Sequence, residues 1–139
     1  MIVADTSGLI AFFSESGSQH DAVTAWIGAH DPVMVVSPYV LAEVDYLVAT
    51  RKGVDAELAV LAELSGGAYE LARMDAPDVV AAQRVIERYR DLGIGLADAS
   101  SAVLAQRYRT RTVLTLDRRH FSVMRPLDGG TFTIVPCEQ

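Results

Sequence analysis

Short apolar runs alternate along this chain with longer segments in which apolar residues recur every three or four positions. The short runs predict five strands, at residues 2–4, 32–37, 68–72, 112–116 and 131–135. The second run is continuous and β-branched, which is the pattern of a strand buried on both faces of a parallel sheet. The sequence therefore predicts a sheet whose strands are separated by helical segments.

The periodic segments predict six helices, at residues 9–13, 20–28, 39–50, 55–64, 75–90 and 96–107. Pro38 suits the start of the third helix, and Gly53 ends its pattern. The apolar positions of the fifth helix are Val79, Val80, Val85, Ile86 and Tyr89. Strands interleaved with helices favour a mainly parallel sheet covered on both faces, which is an α/β fold.

Composition indicates one folded domain spanning residues 1–139, because half of the residues are hydrophobic and only 22% are charged. The single cysteine, Cys137, excludes an internal disulfide framework and a multi-cysteine metal site. No apolar run approaches the roughly 20 residues that span a bilayer, and the first residues lack the pattern of a secretory signal. We expect a soluble, cytoplasmic protein without a membrane segment.

The formal charge of −6 conceals an uneven distribution along the chain. Residues 84–125 hold nine of the eleven arginines and only four acids, whereas residues 1–83 hold three cations and twelve acids. The planar guanidinium group of arginine suits phosphate recognition. The arginines indicate either contact with a nucleic-acid backbone or a set of solvated helix faces, and charge alone does not choose between them.

Two acids directly follow predicted strands. Asp5 comes after the first strand, and Asp117 comes after the fourth. Because the carboxyl ends of the strands form the ligand crevice in open α/β sheets, both side chains are expected on the functional edge. Taken singly, each is more simply explained as a helix N-cap.

Two further acids of interest lie on predicted helices. Glu43 and Asp45 are two residues apart, so they point to nearly opposite sides of the third helix, which is otherwise largely apolar. At least one of them is expected to lie against protein, where an arginine or other donors must offset its charge. Asp98 lies in the first turn of the sixth helix, where the helix dipole favours an acid, and its alanine neighbours permit close approach.

These acids are more informative together than singly: Asp5, Glu43, Asp98 and Asp117. If they converge, their mutual repulsion requires a compensating ion, and hard oxygen ligands select Mg²⁺ or Mn²⁺. Such a site can activate a water molecule and neutralise charge on a phosphodiester, as metal-dependent nucleases do.

The ordered segments Asp5-Thr-Ser, Leu96-Ala-Asp98-Ala and Thr115-Leu-Asp117, with Glu43 on a helix between the first two, resemble the acidic signature of PIN-domain ribonucleases. The opening Met-Ile-Val-Ala-Asp-Thr-Ser and the closing Phe-Thr-Ile-Val resemble those of VapC toxins of bacterial toxin–antitoxin pairs. The resemblance covers essentially the whole chain. It implies a three-layer α/β/α sandwich with a central, mainly parallel five-stranded sheet.

The resemblance also implies an activity, which is Mg²⁺- or Mn²⁺-dependent endonucleolytic cleavage of RNA by a homodimer that a cognate VapB-type antitoxin inhibits. By position, Asp5 and Asp98 look like direct metal ligands. Glu43 and Asp117 look like partners that complete the acidic pocket or orient the water. Supporting hydrogen bonds are expected from three hydroxyl residues, Thr6, Ser7 and Thr115.

The basic run 118–120, Arg-Arg-His, follows Asp117 directly. Arg118 and Arg119 are candidates for contact with substrate phosphate, with a solvated turn as the alternative. His120 is more simply a structural or exposed residue than a proton donor.

Dinucleotide and P-loop motifs are absent from the sequence, and no lysine follows the last strands as a phosphoacceptor receiver domain would require. The remaining alternative to a nuclease is a non-catalytic α/β binding or receiver-like module whose acids are helix caps and ion pairs.

Overall fold

The computed structural model describes residues 1–137, which contain one five-stranded sheet with helices on both of its faces. The strands are β1 (Ile2–Ala4), β2 (Met34–Val36), β3 (Tyr69–Leu71), β4 (Thr112–Leu114) and β5 (Thr133–Val135). Their order across the sheet is β3-β2-β1-β4-β5, and every neighbouring pair is parallel. The predicted fold class is confirmed, and each strand lies within its predicted segment.

Seven α-helices cover the sheet within the described residues: α1 (Thr6–Phe13), α2 (His20–His30), α3 (Pro38–Lys52), α4 (Val54–Leu64), α5 (Ala76–Arg88), α6 (Leu96–Arg107) and α7 (Arg118–Val123). A 3₁₀ turn, Arg90–Leu92, follows α5. Helix α1 begins earlier than predicted, directly after β1, so that strand and helix share the Asp5 junction. None of the helices that the structure describes combines the length and apolar character needed to cross a bilayer.

The sheet separates two hydrophobic cores. Alternate residues of β1 point to opposite faces, so Ile2 and Ala4 join one core and Val3 joins the other. Helices α1 to α4 supply most of the helical side chains of the first core, including the fully buried Leu64. Helices α5 to α7 supply those of the second, including Leu104. Burial on both faces explains why the central strands are continuously apolar.

Local signals determine where α3 begins and ends. The Ser37 hydroxyl accepts hydrogen bonds from the backbone amides of Tyr39 at 3.0 Å and Val40 at 3.4 Å, and Pro38 takes the first helical position. Gly53 follows the helix with a φ of 91°, a conformation that glycine adopts without strain. Helix α3 therefore starts at the carboxyl edge of the sheet, directly after β2, and runs away from that edge.

Two details of the helices differ from the sequence prediction. Helix α7 was not predicted, because its six residues are too few to show a periodic apolar pattern. Val79 and Val80 are 38% and 45% exposed, and the buried stripe of α5 instead consists of Ala82 and Val85. Val79 and Val80, two of the apolar positions of this helix, therefore lie outside the core, since the packing of α5 starts one turn later.

Candidate active site

The candidate site lies at the carboxyl edge of the sheet, where β1 and β4 end side by side. Ala4 pairs with Leu114, and the Asp5 backbone amide donates a 3.0 Å hydrogen bond to the Leu114 carbonyl. Gly8 lets α1 pack closely here, because a Cβ at this position would lie 2.4 Å from the Leu114 carbonyl oxygen. The residues just past the two strands, Asp5 and Thr115, are therefore held beside each other.

Asp5 is the most buried acid of the site, with 2% of its surface exposed. Its Oδ2 accepts hydrogen bonds from Thr115 Oγ1 at 2.8 Å and from Ser7 Oγ at 3.3 Å. Its Oδ1 is buried without a hydrogen-bond partner among the described residues. Burial, together with the negative charge of Asp98, raises the pKa of Asp5 from 3.8 to about 7. A buried carboxyl group with one unused oxygen suits a cation ligand.

Asp98 projects from the first turn of α6 and lines the same cleft as Asp5. Its carboxyl group lies close enough to that of Asp5 for its charge to raise the pKa of Asp5, and its Oδ2 lies 2.6 Å from Nδ1 of His120. Burial raises the pKa of Asp98, and the hydrogen bond from His120 opposes that rise. Two neighbouring carboxyl groups repel each other when both are ionised, so the pair favours a shared proton or a bound cation.

Asp117 combines the two interpretations that the sequence left open. Its Oδ1 caps α7 by accepting a 3.0 Å hydrogen bond from the His120 backbone amide. Its Oδ2 lies 2.8 Å from Nδ1 of the same histidine. Nδ1 of His120 thus lies between the two acids, hydrogen-bonded to Oδ2 of Asp98 and at ion-pair distance from Oδ2 of Asp117.

His120 is the residue of this cluster that sequence reasoning undervalued. The prediction of a structural or exposed histidine missed its contacts, because α7 was not predicted. An aspartate at a helix N-cap lies beside the third helical residue, as in a capping box. The spacing Asp117-x-x-His120 would have indicated the contact if the sequence had also predicted the short helix.

The supporting hydroxyl groups connect the ends of β1 and β4. Thr115 Oγ1 accepts a 2.9 Å hydrogen bond from the Asp117 backbone amide, and Ser7 Oγ accepts one of 2.9 Å from the Leu116 amide. The two hydroxyl oxygens lie 3.1 Å apart. Thr6 lines the same cleft, and within residues 1–137 its buried Oγ1 has no hydrogen-bond partner. Ser7 and Thr115 therefore orient Asp5 and Asp117 together.

Glu43 lines the same cleft as these acids but comes from a different element, helix α3. Its side chain projects from α3 and is exposed. Asp45 is the partly buried member of the pair, and its hydrogen bond to Glu57 raises the pKa of Glu57 on α4. The expectation that one of the two acids lies against protein is thus met by Asp45, while Glu43 remains available to the cleft.

The acids line one end of a cleft of about 540 Å³ that continues between α1 and α3. Arg118 lies beside the acidic cluster, but its guanidinium Nη2 donates a 2.5 Å hydrogen bond to the Pro136 carbonyl. Arg119 is exposed on the first turn of α7. Neither arginine is among the described residues that line the cleft. Contact of Arg118 and Arg119 with substrate therefore stays a prediction.

The donor set of the cluster fits a divalent cation. Single ligand atoms of Asp98, Asp117 and His120 lie within 4.8 Å of one another. Asp5 lines the same cleft, and its Oδ1 is buried without a hydrogen-bond partner among the described residues. Carboxylate oxygens predominate, which suits hard cations such as Mg²⁺ or Mn²⁺. A cation there would offset the repulsion that raises the pKa values of Asp5 and Asp98.

Comparisons with known proteins agree with this geometry. Residues 2–125 match the family described as PIN domain. The chain is 57% identical over 135 residues to Ribonuclease VapC26 of Mycobacterium tuberculosis (strain ATCC 25618 / H37Rv), across 97% of this chain and 100% of that protein. The fold of this chain is similar to that in the crystal structure of Mycobacterium tuberculosis VapC20, described as a sarcin–ricin loop cleaving toxin. The TM-score is 0.77 at 22% identity, over 84% of this chain and 90% of that one.

Proposed function

This chain belongs to the PIN-domain family and, within it, to the VapC ribonucleases, and on that premise we propose that it is a Mg²⁺-dependent endoribonuclease. The observation that carries the proposal is the convergence of three carboxyl groups from distant parts of the chain, Asp5, Asp98 and Asp117. Like charges this close oppose folding unless a proton or a cation lies between them. Such strained acid clusters are typical of functional sites.

We assign the metal-binding role to Asp5 and Asp98, whose neighbouring carboxyl groups influence each other's pKa. Asp117 and Glu43, which line the same cleft, complete the acidic pocket or orient the attacking water. Thr115 and Ser7 hold the carboxylates by the hydrogen bonds described above, and Thr6 contributes to the cleft wall.

A bound divalent cation supplies activation of water and neutralisation of charge on the phosphodiester. The residues of this chain hold the reacting groups in place for in-line attack of water. Asp5 is fixed by the Thr115 hydroxyl, and Asp117 is fixed by the cap that it makes on α7. Because neither carboxylate has to reorganise, the site is prepared before substrate binds.

RNA is the substrate class that the named activity of the VapC26 relative supports. We further propose that the protein acts in the cytoplasm, where such a substrate is found, as a homodimer, and that a cognate VapB-type antitoxin neutralises it. Co-purification with the product of an adjacent antitoxin gene, followed by loss of RNA cleavage in the complex, would test that pairing.

The decisive experiment is cleavage of a labelled RNA by purified protein with and without Mg²⁺. Asp5→Asn and Asp98→Asn should each lower the rate by more than about 100-fold, because both remove a proposed metal ligand. Asp91→Asn is the matched control, since Asp91 is an exposed acid on the 3₁₀ turn. Circular dichroism would show that the variants remain folded.

Cleavage that persists in both variants and in excess chelator would overturn the nuclease mechanism. RNA binding without cleavage by the unmodified protein would instead favour the binding-module alternative.

A further inference from the structure

One face of α3 extends the cleft away from the acids. Glu43, Leu47 and Arg51 all line it, and their spacing of four residues places them on successive turns of the same helix face. Glu43 and Arg51 are eight residues apart, which corresponds to about 12 Å along the helix axis at about 1.5 Å per residue. The cleft thus has an acidic end and a cationic end.

Arg51 is the only arginine or lysine among the described residues that line this cleft. Its side chain is exposed, and within residues 1–137 it makes no hydrogen bond or ion pair. An unpaired guanidinium group in a cleft is available to a ligand, and its planar fork suits a phosphate group.

The opposite wall of the cleft comes from α1 and the loop that follows it. Ile10 lines the cleft together with Leu47, which lies midway between Glu43 and Arg51 on α3. Ser14 borders an adjoining hollow with Arg51, and Ser18 and Gln19 also line the cleft. The middle therefore offers apolar contact to a base or a sugar. The far end combines one cation with neutral groups that can donate hydrogen bonds.

Apart from Arg51, every charged residue among the described residues that line the cleft is an acid. A polyanionic RNA strand in this cleft therefore needs the positive charge of Arg51. A cation held by the acidic cluster would offset charge only at the point of cleavage. The distance of about 12 Å along α3 is several times the roughly 3.4 Å rise per nucleotide of one stacked strand. Arg51 is therefore placed to meet a phosphate other than the one that is cleaved.

We propose that Arg51 binds a phosphate group of the RNA strand that flanks the scissile phosphodiester, and so positions the strand in the cleft. This inference rests on the proposed function, which it deepens by naming a substrate subsite. Among the described residues, no arginine of the segment 84–125 lines this cleft. Arg107, Arg109 and Arg111 lie at the end of α6 and before β4, at the opposite edge of the sheet from the acids.

The test compares Mg²⁺-dependent cleavage of a short single-stranded RNA by the unmodified protein, Arg51→Ala, Arg51→Lys and Arg84→Ala. Arg84 is the matched control, because it is an exposed arginine on α5, which packs against the other face of the sheet. Arg51→Ala should raise KM by roughly tenfold with little change in kcat, since one charge-assisted phosphate contact is lost. Arg51→Lys should recover part of that loss, and Arg84→Ala should behave as the unmodified protein.

Two further readouts separate a phosphate contact from a general structural effect. The slope of log kcat/KM against log salt concentration should become shallower by about 0.7 in Arg51→Ala, the value for one phosphate contact on a single strand. RNAs that carry one uncharged methylphosphonate linkage should show a single flanking position at which the unmodified protein is impaired and Arg51→Ala is not.

The outcomes are distinguishable. Equal KM values and salt slopes for Arg51→Ala and Arg84→Ala in a protein that cleaves RNA would overturn the subsite alone. A uniform fall in kcat with every methylphosphonate position still affected would also overturn it. Absence of metal-dependent cleavage by the unmodified protein would remove the proposed function, and the subsite with it.

Discussion

Replacing Asp5 by asparagine is expected to stabilise the metal-free protein at alkaline pH, although it removes a group that we assign to metal binding. The carboxyl group is buried beside Asp98, and its Oδ1 has no hydrogen-bond partner among the described residues. Asparagine has nearly the same shape and cannot ionise. Its Oδ1 can accept the Thr115 hydrogen bond, and its amide group can donate to Asp98.

The size of the effect follows from the pKa of Asp5, which burial and the Asp98 charge raise from 3.8 to about 7. Each tenfold change in proton affinity is worth about 1.4 kcal/mol, so ionised Asp5 costs the folded state about 4 kcal/mol. The folded protein binds a proton that the unfolded chain has released between these two pKa values. The contribution of Asp5 to stability is therefore greatest below about pH 4, falls as the pH rises toward 7, and is lowest above it.

The assay is urea unfolding in chelator at about pH 5 and about pH 8.5. The free energy of unfolding of Asp5→Asn should exceed that of the unmodified protein by up to about 4 kcal/mol at the higher pH and by much less at the lower pH. Asp91→Asn should change little at either pH, because Asp91 is exposed. Saturating Mg²⁺ should then restore the unmodified protein and leave Asp5→Asn unchanged, since a ligand stabilises only the state that binds it.

A difference between Asp5→Asn and the unmodified protein that is the same at both pH values would refute this reasoning. It would mean that asparagine acts through packing or hydrogen bonding and that the charge of Asp5 carries no cost. A destabilised variant at both pH values would show that the carboxylate is satisfied in the absence of metal.

Four further outcomes are expected. Gly8→Ala should lower the free energy of unfolding by about 1–3 kcal/mol, because the new Cβ would meet the Leu114 backbone, and a stable variant would contradict the close packing of α1. Gly28→Ala, which meets no atom within 4 Å inside α2, should instead raise it by about 0.5–1 kcal/mol in the same urea titration. His120→Ala should lower the melting temperature in chelator by removing the donor between two carboxylates, and Mg²⁺ should recover much of the loss; an equal loss with and without Mg²⁺ would argue against a cation site there. Calorimetry in buffers of different ionisation enthalpy should detect release of about half a proton as Mg²⁺ binds at pH 7, because the pKa of Asp5 is about 7, and binding without proton release would contradict that pKa.

Much of the fold was predictable because the hydrophobic pattern of a short stretch of sequence indicates which of its residues are buried. All five predicted strands are present, and the central ones are short apolar runs bounded by turn residues, a pattern that favours a buried strand when the run is too short for a helix. The prediction failed where the local pattern is weak. Six residues of α7 show no periodicity, and Val79 and Val80 continue an apolar pattern beyond the point where α5 meets its neighbours.

The sequence could predict only those parts of the site that the topology of the parallel sheet brings together at one edge. Asp5 and Asp117 follow strands, and the carboxyl ends of parallel strands meet at one edge whatever the details of packing. The sequence could not show that His120 bridges to Asp98, 22 residues away, because that contact depends on the unpredicted start of α7. Nor could it show which of Glu43 and Asp45 turns toward the cleft, because both lie on one largely apolar helix.

The amino-acid sequence by itself determined the alternation of strands and helices, the parallel sheet and the edge at which the acids gather, because each depends on local hydrophobic pattern and chain direction. Only the tertiary structure decided which side chains touch there. The contact between Thr115 and Asp5 spans 110 residues, and the approach of Arg51 to the cleft requires α3 to lie beside α1. Such contacts depend on how helices pack over the sheet, and that packing is set by the shapes of both cores together.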